Sequence, residues 1–121
     1  MEALVAAARK APWPCAAEVD GAIYLNESPL RHAEMVALEN LEGVGHTMRV
    51  TAEPCPMCMA AIVWSGKVER VEYGTSIPRL IELGHWQSSI RAADVINSFA
   101  PRRTIELVQV GPELTDALYR R

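Results

Sequence analysis

The sequence lacks the features that would mark a membrane, secreted or low-complexity protein. Its 121 residues contain no internal repeat and no apolar run approaching the roughly 20 residues that a membrane-spanning helix needs. The apolar residues between Met1 and Trp13 form too short a run, behind an early acidic residue, for a secretory signal peptide. We therefore expect one soluble domain over residues 1–121, located in the cytoplasm.

The sequence also lacks an excess of positive charge. Twelve Lys and Arg residues stand against fifteen Asp and Glu residues, which gives a formal net charge of −3. Dedicated nucleic-acid-binding proteins usually carry a basic face that neutralises phosphates. The pairs Arg102-Arg103 and Arg120-Arg121 are more typical of an exposed turn and a chain end. The composition favours a small-molecule partner, with nucleic acid a weaker possibility and no membrane partner.

Only three cysteines are present, and two of them lie in the most informative part of the chain. Cys55 and Cys58 stand in the run Pro54-Cys55-Pro56-Met57-Cys58, 23 positions after the histidine of His32-Ala33-Glu34. One imidazole and two thiolates can hold zinc and leave its fourth position for water, as a catalytic site requires. A carboxylate two residues from the histidine is placed to move protons on and off that water.

The histidine segment is predicted to begin a helix. Ser28-Pro29 is a strong helix start, with serine as the N-cap and proline at the first helical position. The helix would run to about Leu41 and carry His32 and Glu34 in its opening turns. Side chains two residues apart on a helix point in different directions, so His32 and Glu34 can converge only on something that lies over the helix end. The metal is therefore expected over the N-terminal end of this helix.

The cysteine segment is also predicted to begin a helix. Pro56 suits a first helical position, which makes Cys55 the N-cap and places Cys58 on the same face in the first turn. An alternative is a closed structural zinc site completed by Cys15, which would leave Glu34 without a role. A Cys55–Cys58 disulfide is less favoured, because nothing indicates an oxidising compartment. For Cys15 itself we expect a small buried residue in the first strand.

The two segments together resemble the zinc-dependent cytidine and nucleobase deaminases, whose signature is H-x-E followed by P-C-x-x-C. The local sequences Arg31-His32-Ala33-Glu34-Met35 and Glu53-Pro54-Cys55-Pro56-Met57-Cys58 are closer still to guanine deaminases and transfer-RNA adenosine deaminases. The close resemblance covers roughly residues 30–75. It implies Zn²⁺ as the cofactor and Glu34 as general acid and base. It also implies three zinc ligands: His32, Cys55 and Cys58.

The resemblance further implies candidate substrate-binding residues. An asparagine at the end of the second strand hydrogen-bonds the substrate in the family, and Asn26 stands there with only five residues between it and His32. That gap is about half the usual one. Ala33, beside the histidine, is the second candidate. Trp86 is the third, because a tryptophan in the Gly84–Ser89 loop could stack on a base; a core position is an equal alternative.

Alternating strand and helix signals predict an α/β protein, a three-layer α/β/α fold with a five-stranded mixed sheet. Thirty residues with helical signals separate the strand ending at Tyr73 from the strand beginning at Thr104. That length predicts a crossover that makes the last two strands parallel. Such an arrangement resembles the guanine, cytosine and transfer-RNA adenosine deaminases. The predicted strands are Pro14–Asp20, Ala22–Asn26, Thr47–Ala52, Val68–Tyr73 and Thr104–Val110.

These expectations lead to one preferred function and two alternatives. The preferred hypothesis is a zinc-dependent hydrolase that releases ammonia from an aminated nucleobase, nucleoside or related heterocycle. One alternative is a transfer-RNA adenosine deaminase, and the other is a zinc-stabilised binding module without enzymatic activity. Family members commonly pack subunits together so that one completes the other's site, which implies a homodimer. Trp64, opposite Cys55 by helical phase, is a candidate for core packing or subunit contact.

Overall fold

The computed structural model describes residues 1–120, which contain six helices and five strands. Arg121, the last member of the predicted C-terminal basic pair, lies outside the described residues. None of the helices in the described part has the length and apolar character needed to cross a bilayer. In chain order the elements are α1 (Glu2–Arg9), β1 (Ala16–Val19), β2 (Ala22–Leu25), α2 (Ala33–Asn40), β3 (His46–Ala52), α3 (Pro56–Ser65), β4 (Val68–Thr75), α4 (Ile77–Glu82), α5 (Ala92–Asn97), β5 (Glu106–Gln109) and α6 (Pro112–Tyr119).

The five strands form one mixed sheet in the order β2-β1-β3-β4-β5. Strand β1 runs antiparallel to both β2 and β3, whereas β3–β4 and β4–β5 are parallel pairs. Each parallel pair needs a crossover, which α3 supplies between β3 and β4, and α4 with α5 between β4 and β5. The prediction that the last two strands are parallel is therefore confirmed.

Helices cover both faces of the sheet and produce the predicted three layers. Met48 and Val50 of β3 point into the main core with residues of α2, α3 and α5, while Thr51 hydrogen-bonds to the last residue of α6 on the opposite face. On that opposite face a Cβ atom at Gly74 would overlap the side chain of Thr115. Glycine at this position of β4 is therefore what allows α6 to approach the sheet closely.

Helix α2 begins later than the sequence predicts. The expected N-cap, Ser28, instead closes a short turn, because its hydroxyl accepts the N–H groups of Leu30 at 3.3 Å and Arg31 at 3.0 Å. A serine that bonds its own following amides competes with helix formation in this way. The helix starts at Ala33, so the prediction that it starts at Pro29 was wrong.

Candidate active site

The N-terminus of α2 is positioned by the strand that precedes it. His32 is the N-cap, and its carbonyl accepts the N–H of Val36 at 3.1 Å. Asn26 directly follows β2, and its Oδ1 accepts the N–H of Ala33 at 2.6 Å. This bond satisfies one of the donors left unpaired at a helix start. It also links the end of β2 to the helix that carries Glu34.

The N-terminus of α3 is organised as the sequence predicts. Cys55 is the N-cap, Pro56 is the first helical residue, and the carbonyl of Cys55 accepts the N–H of Met59 at 2.8 Å. Cys58 is fully buried in the first turn. Because β3 ends at Ala52, just before this helix, the two thiols lie at the carboxyl end of a central strand.

The imidazole and the two thiols form a possible metal site. His32 Nδ1 lies 3.7 Å from Cys55 Sγ and 3.3 Å from Cys58 Sγ, and the candidate ligand atoms all lie within 4.8 Å of one another. A tetrahedral zinc site would place nitrogen and sulfur roughly 3.6 Å apart, given Zn–S and Zn–N bonds of about 2.3 and 2.05 Å. The donor set and its spacing therefore fit zinc. Within residues 1–120 neither Cys15 nor Glu34 belongs to this group.

The two thiols shift each other's pKa values in opposite directions. A hydrogen bond from Cys58 lowers the pKa of Cys55 to about 5, and the same contact raises the pKa of Cys58. The lowered pKa of Cys55 favours the thiolate, which is the form that binds metals. A metal ion bound here would displace the remaining proton, as metal binding to thiols generally does.

Glu34 occupies a buried position beside these ligands. The residue is only 8% exposed and has no ion-pair partner within the described residues. Burial raises the pKa of its carboxyl from 4.5 to about 7. A carboxyl group with that pKa can hold or release a proton near neutral pH, which is the property expected of a general acid and base.

A cleft of about 80 Å³ connects the metal site to solvent. Asn26, His32, Glu34 and Cys55 line it, so the cleft brings together most of the predicted site residues. Ala33 does not line it, because its side chain is buried in the core and its N–H is bonded to Asn26. The other lining residues lie in or directly beside β1 and β3, or in the segment after β4: Cys15, Ala16, Val50, Thr51, Ala52, Glu53, Leu80 and Gln87.

The loop that carries Trp86 forms one wall of the cleft, but the tryptophan itself does not. Trp86 is fully exposed, which argues against the core alternative, and Gln87 lines the cleft instead. The neighbouring His85 turns inward, where its Nε2 lies 2.6 Å from the carbonyl oxygen of Tyr119 and its ring meets that of Tyr119 at 86°. Base stacking by Trp86 stays a prediction that the shape of this cleft does not support.

Among the cleft residues without a predicted site role are Cys15, Gln87 and Glu53. Cys15 precedes β1 by one residue, so its predicted place inside the strand was wrong, and burial raises the pKa of its thiol to about 11. Gln87 has no distinguishing sequence pattern. Glu53 did have a signal in the sequence: it is an acidic residue between Ala52, the last residue of β3, and Pro54.

A second groove, of about 350 Å³, lies beside the start of β4. Arg102 and Arg103 line it together with Glu69, and its lining contains no histidine or cysteine. The two arginines are exposed, as predicted for a turn. This groove therefore lacks the metal-ligand set found in the cleft beside α2 and α3.

Two curated relatives share sequence with part of this chain. A tRNA(Ile)-lysidine synthase from Deinococcus deserti is 43% identical over 61 residues, which are 45% of this chain and 11% of the relative. A tRNA-specific adenosine deaminase from Bacillus subtilis is 41% identical over 59 residues, which are 41% of this chain and 35% of the relative. The matched residues thus cover far less than two thirds of the length of either relative.

Two solved structures share the fold of almost the whole chain. A guanine deaminase from Nitrosomonas europaea superposes with a TM-score of 0.76 at 22% identity, covering 98% of this chain and 78% of that protein. A structure from studies of tRNA:A34 deaminases, which perform A-to-I editing at the wobble position, gives a TM-score of 0.69 at 20% identity. It covers 95% of this chain and 94% of the other. These similarities establish the cytidine-deaminase-like fold.

Residues 3–75 match the family described as the cytidine and deoxycytidylate deaminase zinc-binding region. That range spans more than half of the chain and contains the three candidate ligands as well as Glu34. Zinc is the cofactor of this family, and the ligand group described above is the possible site for it. The protein belongs to the cytidine and deoxycytidylate deaminase zinc-binding family.

Proposed function

We propose that this protein is a zinc-dependent hydrolase that releases ammonia from an aminated nucleobase, nucleoside or related heterocycle. The observation that carries the proposal is that three metal-type ligands converge beside a cleft. Two of them, His32 and Cys55, line this cleft together with a separate buried carboxyl group, that of Glu34. A structural zinc site would use a fourth protein ligand. Cys15, the residue that could complete such a closed site, does not belong to the ligand group in the described part of the chain.

The proposed mechanism assigns the metal to His32, Cys55 and Cys58. Bound zinc would supply a Lewis acid that makes water nucleophilic near neutral pH. Glu34 takes a proton from the attacking water, delivers it to the ring nitrogen and then helps to protonate the departing amine. Water adds to the carbon that carries the amino group, the carbon–nitrogen bond breaks, and ammonia leaves as the ring gains a carbonyl.

The walls of the cleft orient the substrate in this proposal. Asn26 lines the cleft, and its amide nitrogen has no hydrogen-bond partner within residues 1–120, so it is available to a substrate acceptor. The N–H of Ala33 is bonded to Asn26, so donation of this N–H to a substrate would require that bond to open. The small cleft and the net charge of −3 favour a small planar amine over a polynucleotide.

A transfer-RNA adenosine is the second candidate substrate. Its support is the 41% identity to the Bacillus subtilis tRNA-specific adenosine deaminase over 59 residues. A polynucleotide would have to contact basic residues, and log affinity would fall steeply with log salt because counterions are released on binding. A small neutral base would show only weak salt dependence.

We further propose that the protein forms a homodimer in the cytoplasm. Trp64 of α3 is 74% exposed and packs only edge-on against Phe99, at a centroid distance of 5.3 Å, while Met57 is exposed one heptad earlier on the same helix. An exposed apolar stripe on a short helix is typical of a subunit contact. The free thiols that the metal site requires persist in a reducing compartment.

The deciding experiment measures ammonia release by purified, zinc-loaded protein. The panel contains free guanine, cytosine and adenine, their nucleosides, and a transfer-RNA anticodon hairpin, each at low and moderate salt. The Glu34→Gln variant, loaded with the same amount of zinc, reports any background release. We expect turnover of a free base or nucleoside with weak salt dependence. Turnover confined to the hairpin, falling sharply with salt, would instead establish the second candidate, and no turnover of any panel member would refute deamination of these classes.

A further inference from the structure

Glu53 is a buried carboxylate that the proposed chemistry does not use. The residue is 3% exposed and follows the end of β3, two positions before the metal-type ligand Cys55. Burying a carboxylate in a protein is unfavourable unless hydrogen bonds and an opposite charge compensate for lost hydration. The contacts of Glu53 therefore indicate what this position does.

Three donors from one downstream segment converge on this carboxylate. Oε1 accepts the N–H of Ile77 at 2.9 Å, and Oε2 accepts the N–H of Ala92 at 2.8 Å. The Nε of Arg91 lies 3.0 Å from both oxygens. Ile77 is the first residue of α4, and Ala92 is the first residue of α5. One side chain thus holds both ends of the segment 77–92.

The segment between these two anchors forms part of the cleft wall. Leu80 of α4 and Gln87 of the following loop both line the cleft, as does Glu53 itself. On its other side Glu53 is joined through Pro54 to Cys55. The carboxylate therefore lies between the loop that presents a metal-type ligand and the wall that faces it across the cleft.

We propose that Glu53 is a positioning residue that ties the metal-ligand loop to the segment 77–92 and thereby sets the distance between the reacting centre and the substrate-binding wall. The inference rests on the proposed deaminase function. Both oxygens are needed because each accepts a different backbone N–H. A glutamine would keep one acceptor but turn an amide donor toward either Ile77 or Ala92, which are also donors, and would remove the charge that pairs with Arg91.

The test compares Glu53→Gln with a matched control, Glu72→Gln. Glu72 is also a largely buried carboxylate with arginine partners, Arg49 and Arg70, but it lies on β4 and does not line the cleft. Both variants lose a paired carboxylate, so a general loss of stability affects both. Three quantities are measured: bound zinc per chain, kcat and KM for a substrate from the panel, and the hydrogen-exchange rates of the Ile77 and Ala92 amides.

We expect Glu53→Gln to bind as much zinc as the unchanged protein and to exchange the amides of Ile77 and Ala92 faster. KM should rise by roughly tenfold, while kcat falls by less than about threefold, because a displaced wall weakens substrate positioning. Glu72→Gln should leave the amide exchange and KM unchanged. If zinc is lost in proportion to activity, or if KM changes equally in the two variants, the positioning role is refuted.

Arg91 provides a second set of variants in case Glu53→Gln does not fold. The Arg91 side chain is 41% exposed, so replacing it leaves the backbone bonds to Glu53 in place. Arg91→Ala should raise KM by less than Glu53→Gln does. Arg91→Lys keeps a cation beside the carboxylate and should have the KM of the unchanged protein. An Arg91→Ala variant with unchanged KM would contradict the proposal. If the unchanged protein deaminates nothing, the proposed function fails, and the exchange rates alone decide whether Glu53 ties the two segments together.

Discussion

Replacing Glu34 with glutamine should separate its proposed catalytic role from its effect on stability. Glutamine has nearly the same shape, so the packing around this 8% exposed residue is retained. It cannot accept a proton from water, and general acid–base catalysis contributes roughly 10²–10⁴-fold to a rate. We therefore expect turnover to fall by that factor in Glu34→Gln while zinc content stays at about one ion per chain.

The same substitution should stabilise the metal-free protein at alkaline pH. Burial raises the pKa of Glu34 from 4.5 to about 7, so the folded state binds this proton more tightly than the unfolded chain does. The stability linked to the proton is fully present below about pH 4.5 and is lost as the pH rises to about 7. This rise in pKa lowers the free energy of unfolding by roughly 3 kcal/mol at pH 8 and by less than about 1 kcal/mol at pH 5. Glutamine carries no charge and avoids this loss.

The measurement is denaturant unfolding of both proteins after metal removal, at pH 5 and pH 8. Glu39→Gln is the matched control, because Glu39 lies on the same helix but is exposed and paired with Arg31. An exposed ion pair contributes little to stability, so this variant should have nearly the same free energy of unfolding as the unchanged protein at both pH values. If Glu34→Gln is less stable than the unchanged protein at pH 8, or if it keeps near-full turnover, the reasoning about this carboxyl is wrong.

Three further predictions concern the metal, the assembly and the packing of α6. Metal analysis should find about one zinc per chain in the unchanged protein and in Cys15→Ala but little in Cys55→Ala; equal loss in both variants would contradict the three-ligand site. Light scattering at micromolar concentration should show a dimer that Trp64→Glu converts to a monomer, whereas Trp86→Glu should leave it intact; a fully active monomer of the unchanged protein would refute the assembly. Gly74→Ala should lower the free energy of unfolding by about 1–3 kcal/mol, because the new methyl group would overlap a threonine of α6, and unchanged denaturant midpoints would exclude that contact.

Local spacing was enough to predict the metal group and the way the cysteine helix begins. Cys55 and Cys58 lie three apart at a proline-started helix, so their convergence depends only on helix geometry. Bringing His32 to the same place needs the tertiary fold, and this was predictable because the two segments resemble a known family. The parallel pairing of β4 with β5 was predictable for another reason: the connection between them is too long for a tight hairpin.

The start of α2 was mispredicted because two local signals compete there. Ser28-Pro29 has the pattern of a helix start, but the Ser28 hydroxyl closes a turn with the amide of Arg31. The helix then begins at Ala33, whose N–H bonds to Asn26. Asn26 lies seven residues earlier, directly after β2. Propensity at Ser28 is worth at most about 1–2 kcal/mol, and a tertiary cap can offset an amount of that size.

The wall of the cleft could not be predicted from the sequence, because its residues are placed by contacts between distant segments. Trp86 has the chemistry of a base-stacking residue, yet His85 beside it is held by the carbonyl of Tyr119, 34 positions away, and the chain direction then turns Trp86 outward and Gln87 inward. Glu53 likewise is held by hydrogen bonds to residues 24 to 39 positions downstream, which its local sequence does not indicate. The candidate zinc ligands lie on two short segments with a recognisable spacing, whereas the wall of the cleft depends on single long-range hydrogen bonds. Relatives that share the ligand spacing can therefore differ in the wall, and substrate choice is expected to vary among them there.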